Sequence, residues 1–127
     1  LKSARPTGVN LAYEIDRCVE MARKEAHLSA LYPKLVEHAL AEMNNLYEKN
    51  LAMAKFAEAE LQKIYGDRPL NVMTICNTGT LACGVLGTAL GVIVHLNNQK
   101  KVKHVYASET RPYLQGSRLS LKVQPLI

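Results

Sequence analysis

Apolar residues recur at three- and four-residue steps through the first part of the chain, where Val9, Ala12, Ile15, Val19, Ala22 and Ala26 form one stripe. That spacing predicts a helix over about residues 7–27, because such steps line one face of a 3.6-residue turn. Its entry is Ser3-Ala-Arg5-Pro6, with Pro6 suited to the first helical position and Ser3 or Thr7 to a cap. A second periodic stretch starts near Tyr32-Pro33 and passes through Leu35, Val36, Ala39, Leu40, Met43, Leu46 and Tyr47. Leu51, Ala54, Ala57, Leu61 and Ile64 continue it, while Asn44-Asn45 and Asn50 interrupt it weakly. It reads as one long helix or two, ending at Gly66-Asp67, since glycine is the usual residue just past a helix end.

The period changes after Arg68-Pro69. Leu70 to Cys76 is a short apolar run bounded by turn residues, as a buried parallel strand would be. A continuous helix from about Thr78 to Asn98 is expected next, with Gly84, Gly87 and Gly91 on one face. Each glycine costs ~1 kcal/mol against alanine in a helix interior, so close approach to a sheet would be their reason. Lys103-His-Val-Tyr-Ala107 reads as a second strand, with the loop Ser108-Glu109-Thr110-Arg111-Pro112 at its carboxyl end. Strand, helix, strand is a parallel crossover unit. The expected fold class is therefore α/β. A helical portion over residues 1–67 precedes, over residues 68–127, the first β-α-β unit of a Rossmann-like parallel sheet. Two parallel strands do not make a sheet with both faces covered, so the chain reads as a piece of something longer, as does its start at Leu1.

Composition narrows the partners. Of 127 residues 48% are apolar, enough for a core, and the net charge of +5 is scattered, with no basic run longer than Lys100-Lys101 and Lys103 beyond it. That distribution speaks against a nucleic-acid partner and suits a solvated surface or a small anionic substrate such as a phosphate ester. The apolar segment Leu81 to Leu96 is shorter than the ~20 residues that span a bilayer, so no membrane association is expected. Cys18, Cys76 and Cys83 leave one cysteine odd, and no signal-peptide pattern opens the chain. A reducing cytoplasmic setting fits.

No dinucleotide or P-loop glycine pattern, redox Cys-x-x-Cys or zinc-like spacing occurs, so no cofactor and no metal is expected, and His27, His38, His95 and His104 read as surface or core residues. Cys76 stands where the strand ends and the expected long helix begins. A helix start leaves backbone N–H groups unpartnered and carries partial positive charge, which favours an anion or a thiolate. Residue type leaves the alternative open that Cys76 is simply a small packed hydrophobe. Cys18 and Cys83 fall inside helical periods and read as core. Arg5, Arg111 and Gln115 stand at loop or element-start positions, where capping or ion pairing is the ordinary role. Strand ends of open α/β sheets gather their loops on one side, so the Cys76 turn and the loop from Glu109 to Gln115 should share a crevice, and a guanidinium there suits a phosphate.

Four motifs in order carry a resemblance. Ser3-Ala-Arg5-Pro6-Thr7-Gly-Val-Asn10, Thr74-Ile-Cys76-Asn77-Thr78-Gly79, Gly87-Thr-Ala-Leu-Gly91-Val-Ile and Glu109-Thr110-Arg111-Pro112-Tyr-Leu-Gln115-Gly116-Ser-Arg118-Leu119 together resemble the 5-methylthioribose-1-phosphate isomerases of methionine salvage, over about residues 3–120. The resemblance implies an aldose–ketose isomerase with Cys76 catalytic, Arg5 and Gln115 binding a phosphorylated sugar, and Asn77, Thr78, Gly79, Glu109 and Arg111 around the pocket. It also implies a homodimer, in the cytoplasm with the nucleus open as a second location. An upstream Arg-Gly-Ala-Pro turn, a downstream acidic Asp and an Asn-Lys pair of that family have no counterpart here, and residues 121–127 depart from its pattern, so the chain alone is expected to be inactive. The family's relatives include the non-catalytic regulatory subunits of the translation initiation factor 2B exchange complex, which typically lack the cysteine. They supply the alternative reading. Proton and hydride transfer are both compatible with these residues.

Overall fold

The computed structural model describes residues 1–4 and 6–121. The element order is a 3-10 turn at Lys2–Ala4, α1 (Val9–Lys24), α2 (Leu28–Tyr65), β1 (Leu70–Thr74), α3 (Thr80–Cys83), α4 (Ala89–Asn98), β2 (Val102–Ala107) and a π-helical turn at Gly116–Ser120. The chain divides into two compact units, Leu1–Glu42 and Met43–Ile127, and α2 runs through the division.

In the first unit α1 has no buried residue, and polar contacts tie it to the start of α2. The Arg17 guanidinium donates to Glu42 at 2.7 Å and lies 3.5 Å from Glu14, and His38 Nε2 meets Glu14 at 3.0 Å. Lys34 pairs with Glu25, and Lys2 with Asp16. The second helix starts at Leu28, ahead of the expected Tyr32-Pro33, with Ala30 and Leu31 both donating to the His27 carbonyl. Pro33 sits inside it, close enough to the start that its missing N–H forfeits only one early bond. The asparagines at 44, 45 and 50 do not divide the helix. It ends at Gly66, whose N–H bonds to Gln62 O and whose φ is +66°.

In the second unit β1 and β2 pair in parallel, with Val72 opposite Val105 and Thr74 opposite Ala107, and an irregularity between Leu70 and Asn71. Strand residues alternate in exposure: Thr74 is buried while Met73 is 72% exposed and Tyr106 is exposed. This differs from the expected run buried on both faces, and the cause is that α4 packs on the pair while the other face is open among the described residues. Among the described residues, Leu90, Ile93 and Leu96 of α4 and Ala54 of α2 are the buried apolar side chains.

The continuous helix expected from Thr78 to Asn98 is not formed. One turn, α3, is followed by a break at Gly84 and Gly87, with φ of +82° and +79°, and α4 starts only at Ala89. Two glycines in a conformation that side chains disfavour end a helix rather than line its face. Gly91 does lie in α4, where an added Cβ would meet the Leu86 carbonyl oxygen at 2.7 Å.

Candidate functional site

Cys76 is exposed and stands two residues past the end of β1, with φ +75°. The next helix is the single turn α3, capped by Gly79, so the long helix whose dipole was expected to act on the thiol begins thirteen residues further on, at Ala89. A four-residue helix sums few peptide dipoles. Proximity to a long helix N-terminus is therefore removed from the reasons to single out Cys76.

What surrounds the cysteine is a set of backbone ties between the two strand ends. The Ser108 N–H donates to the Thr74 carbonyl at 2.9 Å, extending the ladder past β2. The Ser120 hydroxyl donates to the Cys76 carbonyl at 3.2 Å across 44 residues of sequence. An added Cβ at Gly116 would meet the Ser108 carbonyl oxygen at 2.8 Å, so the segment after β2 packs back on its own beginning. The Cys76 turn and the segment from Ser108 to Ser120 thus stand side by side.

The turn after the cysteine is held through its main chain. Thr78 O accepts the Thr88 N–H at 2.9 Å and lies 3.4 Å from the Thr88 hydroxyl. The Cys83 thiol lies 3.7 Å from Asn77 O, and the hydroxyls of Thr74 and Thr78 are 3.3 Å apart. Asn50 of α2, 3% exposed, donates its amide to Cys83 O at 2.7 Å, supplying a partner for a carbonyl at the end of α3. Cys18 and Cys83 are half-buried.

Glu109 is committed to its own loop. One carboxylate oxygen accepts the N–H groups of Thr110 at 3.0 Å and Gly116 at 2.9 Å, and the other accepts the Ser117 N–H at 3.1 Å. The Ser117 side chain, ahead of these backbone donors, holds the carboxyl below its ordinary range against the opposing effect of desolvation. The Thr110 hydroxyl accepts the Gln115 N–H at 3.3 Å. Gln115 is half-buried and Arg111 exposed. Arg5 lies outside the described residues.

Thr74, Ser120 and Asn50 were not singled out from sequence. Thr74 and Ser120 are 5% and 3% exposed, the Ser120 hydroxyl reaches a carbonyl 44 residues away in sequence, and Asn50 read only as a helix breaker. Two other features involve other residues. A cleft of about 490 Å³ at the start of β1 is lined by Tyr65, Arg68, Asn71 and Lys103 among others, and there the Arg68 guanidinium sits 4.9 Å from the centre of the Tyr65 ring. Ligating atoms of Glu14, His38 and Glu42 come within 4.8 Å of one another, but Arg17 already supplies positive charge to both carboxylates.

No helix among the described residues is long and apolar enough to cross a membrane. Three relatives are methylthioribose-1-phosphate isomerases. That of Marinobacter nauticus is 43% identical over 120 residues, 94% of this chain and 33% of that protein. That of Chaetomium globosum is 42% identical over 135 residues, covering 94% of this chain and 34% of that protein. The protein from Nematostella vectensis is 39% identical over 126 residues, covering 94% and 35%. The chain spans about a third of the length of the curated relatives it matches. The family model described as the initiation factor 2 subunit family matches residues 1–124, and the chain belongs to that family.

Proposed function

We propose that this chain is the part of a methylthioribose-1-phosphate isomerase that contributes the cysteine of the active site. The whole protein converts 5-methylthioribose-1-phosphate to 5-methylthioribulose-1-phosphate in methionine salvage. The observation that carries this reading is identity of 39% to 43% to relatives of that name, in a chain whose exposed Cys76 adjoins the Ser108–Ser120 segment. Cys76 is the catalytic group, and Arg5 and Gln115 hold the substrate phosphate. Arg111 and Asn77 border the pocket, while Thr78, Gly79 and Glu109 shape it through the backbone. The remaining strands complete a Rossmann-like sheet, and the whole protein is a cytoplasmic homodimer.

The chemistry accounts for the kind of site required. A sugar phosphorylated at its anomeric carbon has no free aldehyde, so the ring opens with the phosphate in place and the ring oxygen must be protonated or polarised. Hydrogen then moves from C2 to C1, oxidising the first and reducing the second, and no external electron carrier enters. A group beside C1 and C2 stabilises charge as it develops, which is the role assigned to Cys76. The test is incubation of the full-length protein with 5-methylthioribose-1-phosphate and detection of the ketose product. Conversion is expected; its absence would contradict the reading and favour a non-catalytic regulatory subunit.

A further inference from the structure

We propose that Ser120 is a positioning residue for Cys76, a role that rests on the catalytic reading of that cysteine. Cys76 adopts φ +75°, a region that residues with a Cβ occupy only when their surroundings over-determine it. The residue is exposed, so burial of its side chain does not impose the conformation. Its carbonyl accepts the Ser120 hydroxyl at 3.2 Å, and Ser120 is 3% exposed at the end of the π-helical turn. That turn is itself fixed, because Leu121 N–H bonds back to Gly116 O at 3.1 Å and Glu109 accepts the N–H groups of Gly116 and Ser117. Ser120 therefore transmits the placement of the second strand's loop to the first strand's end. The φ of a residue sets the direction of its Cα–Cβ bond, so the tie sets where the Cys76 thiol stands relative to the segment carrying Gln115.

The experiment uses the full-length protein with Ser120→Ala, which removes the hydroxyl, and Ser120→Thr, which keeps it. Two readouts are taken: kcat and KM for the isomerisation, and the rate at which iodoacetamide alkylates Cys76, followed by mass spectrometry of the peptide that contains it. Ser120→Ala is expected to lower kcat roughly tenfold to a hundredfold with KM within about twofold, as for a displaced reacting group. The alkylation rate of Cys76 is expected to change at least about threefold, as the accessibility of the thiol follows its placement. Ser120→Thr restores both. A melting temperature close to that of the unsubstituted protein separates this from general loosening, and Ser120→Cys, a much weaker donor, takes the place of the alanine variant should the latter not fold. Any other pattern overturns the proposal: both readouts unchanged, only one of them altered, or threonine as impaired as alanine. Failure of the unsubstituted protein to convert substrate overturns the isomerase reading instead, and the alkylation rates still decide whether Ser120 sets the cysteine.

Discussion

At Gly87 an added methyl group would stand 2.9 Å from the Thr78 carbonyl oxygen and 3.1 Å from Gly79 Cα, in a residue with φ +79°. Both steric and dihedral costs fall on the turn that follows Cys76, so Gly87→Ala is expected to destabilise the fold by about 1–3 kcal/mol, the range for backbone held in a sparsely populated region. Gly66 has a similar φ of +66° but open space around it, so Gly66→Ala is expected to cost about 1 kcal/mol, from the dihedral alone. Urea denaturation of the two variants checks the order. Gly66 was legible because it follows a long periodic stripe, which is where a helix stop is sought. Gly84 and Gly87 were misread as helix-face residues, because their spacing suits a helical face as well as it suits two turns. Cys76 was legible as the residue at a strand end, and so was the neighbourhood of its loop. The fixing of Glu109 to backbone N–H groups and the tie from Ser120 were not, since hydrogen bonds between remote positions leave no periodic trace.

Between elements, Glu58 of α2 is the joint that sequence did not reveal. Its carboxylate meets His95 Nε2 of α4 at 2.7 Å and Lys101 Nζ, just ahead of β2, at 3.1 Å; Gln62 joins it by accepting from Lys101. The hydrogen bond with His95, and after it that from Lys101, holds the Glu58 carboxyl below its ordinary value. A carboxyl depressed in the folded state adds stability above its unfolded value, near 4.3, and loses it as pH falls through the folded one. Glu58→Gln is therefore expected to be less stable than the unsubstituted chain at neutral pH, with the gap closing on acidification below about pH 4. Denaturant midpoints across that range give the answer, and a gap that widens on acidification would contradict the joint. The helices and strands that Glu58 connects were legible from hydrophobic period, apart from the early start of α2 and the division into α3 and α4. Propensity did not forbid the long helix over 78–98; the tertiary ties of Thr78 to Thr88 and Asn50 to Cys83 favour the broken one.

For the whole molecule, the governing fact is that the chain matches about a third of each curated relative. Met73 and Tyr106 on the open sheet face are exposed, which is the arrangement expected of two strands read without further layers. If the acid that the resemblance assigns elsewhere is required, the 127-residue chain alone gives no ketose product, and product formation by it would show that the acid lies within residues 1–127. Fold class was legible at this scale because helical stripes give way at Leu70 to a short apolar run bounded by turn residues, and a helical stretch and a second strand follow it. The substrate proposed above was suggested by sequence only through four motifs in order. The proposed role of Cys76 is to act on the substrate, not to fill the core as a packed thiol. Its most direct measurement is kcat of the full-length protein carrying Cys76→Ser, beside its melting temperature. Loss of at least about a hundredfold in kcat is expected, the scale on which removing one transition-state-stabilising group acts, with melting unchanged; turnover at the unsubstituted rate would contradict the claim.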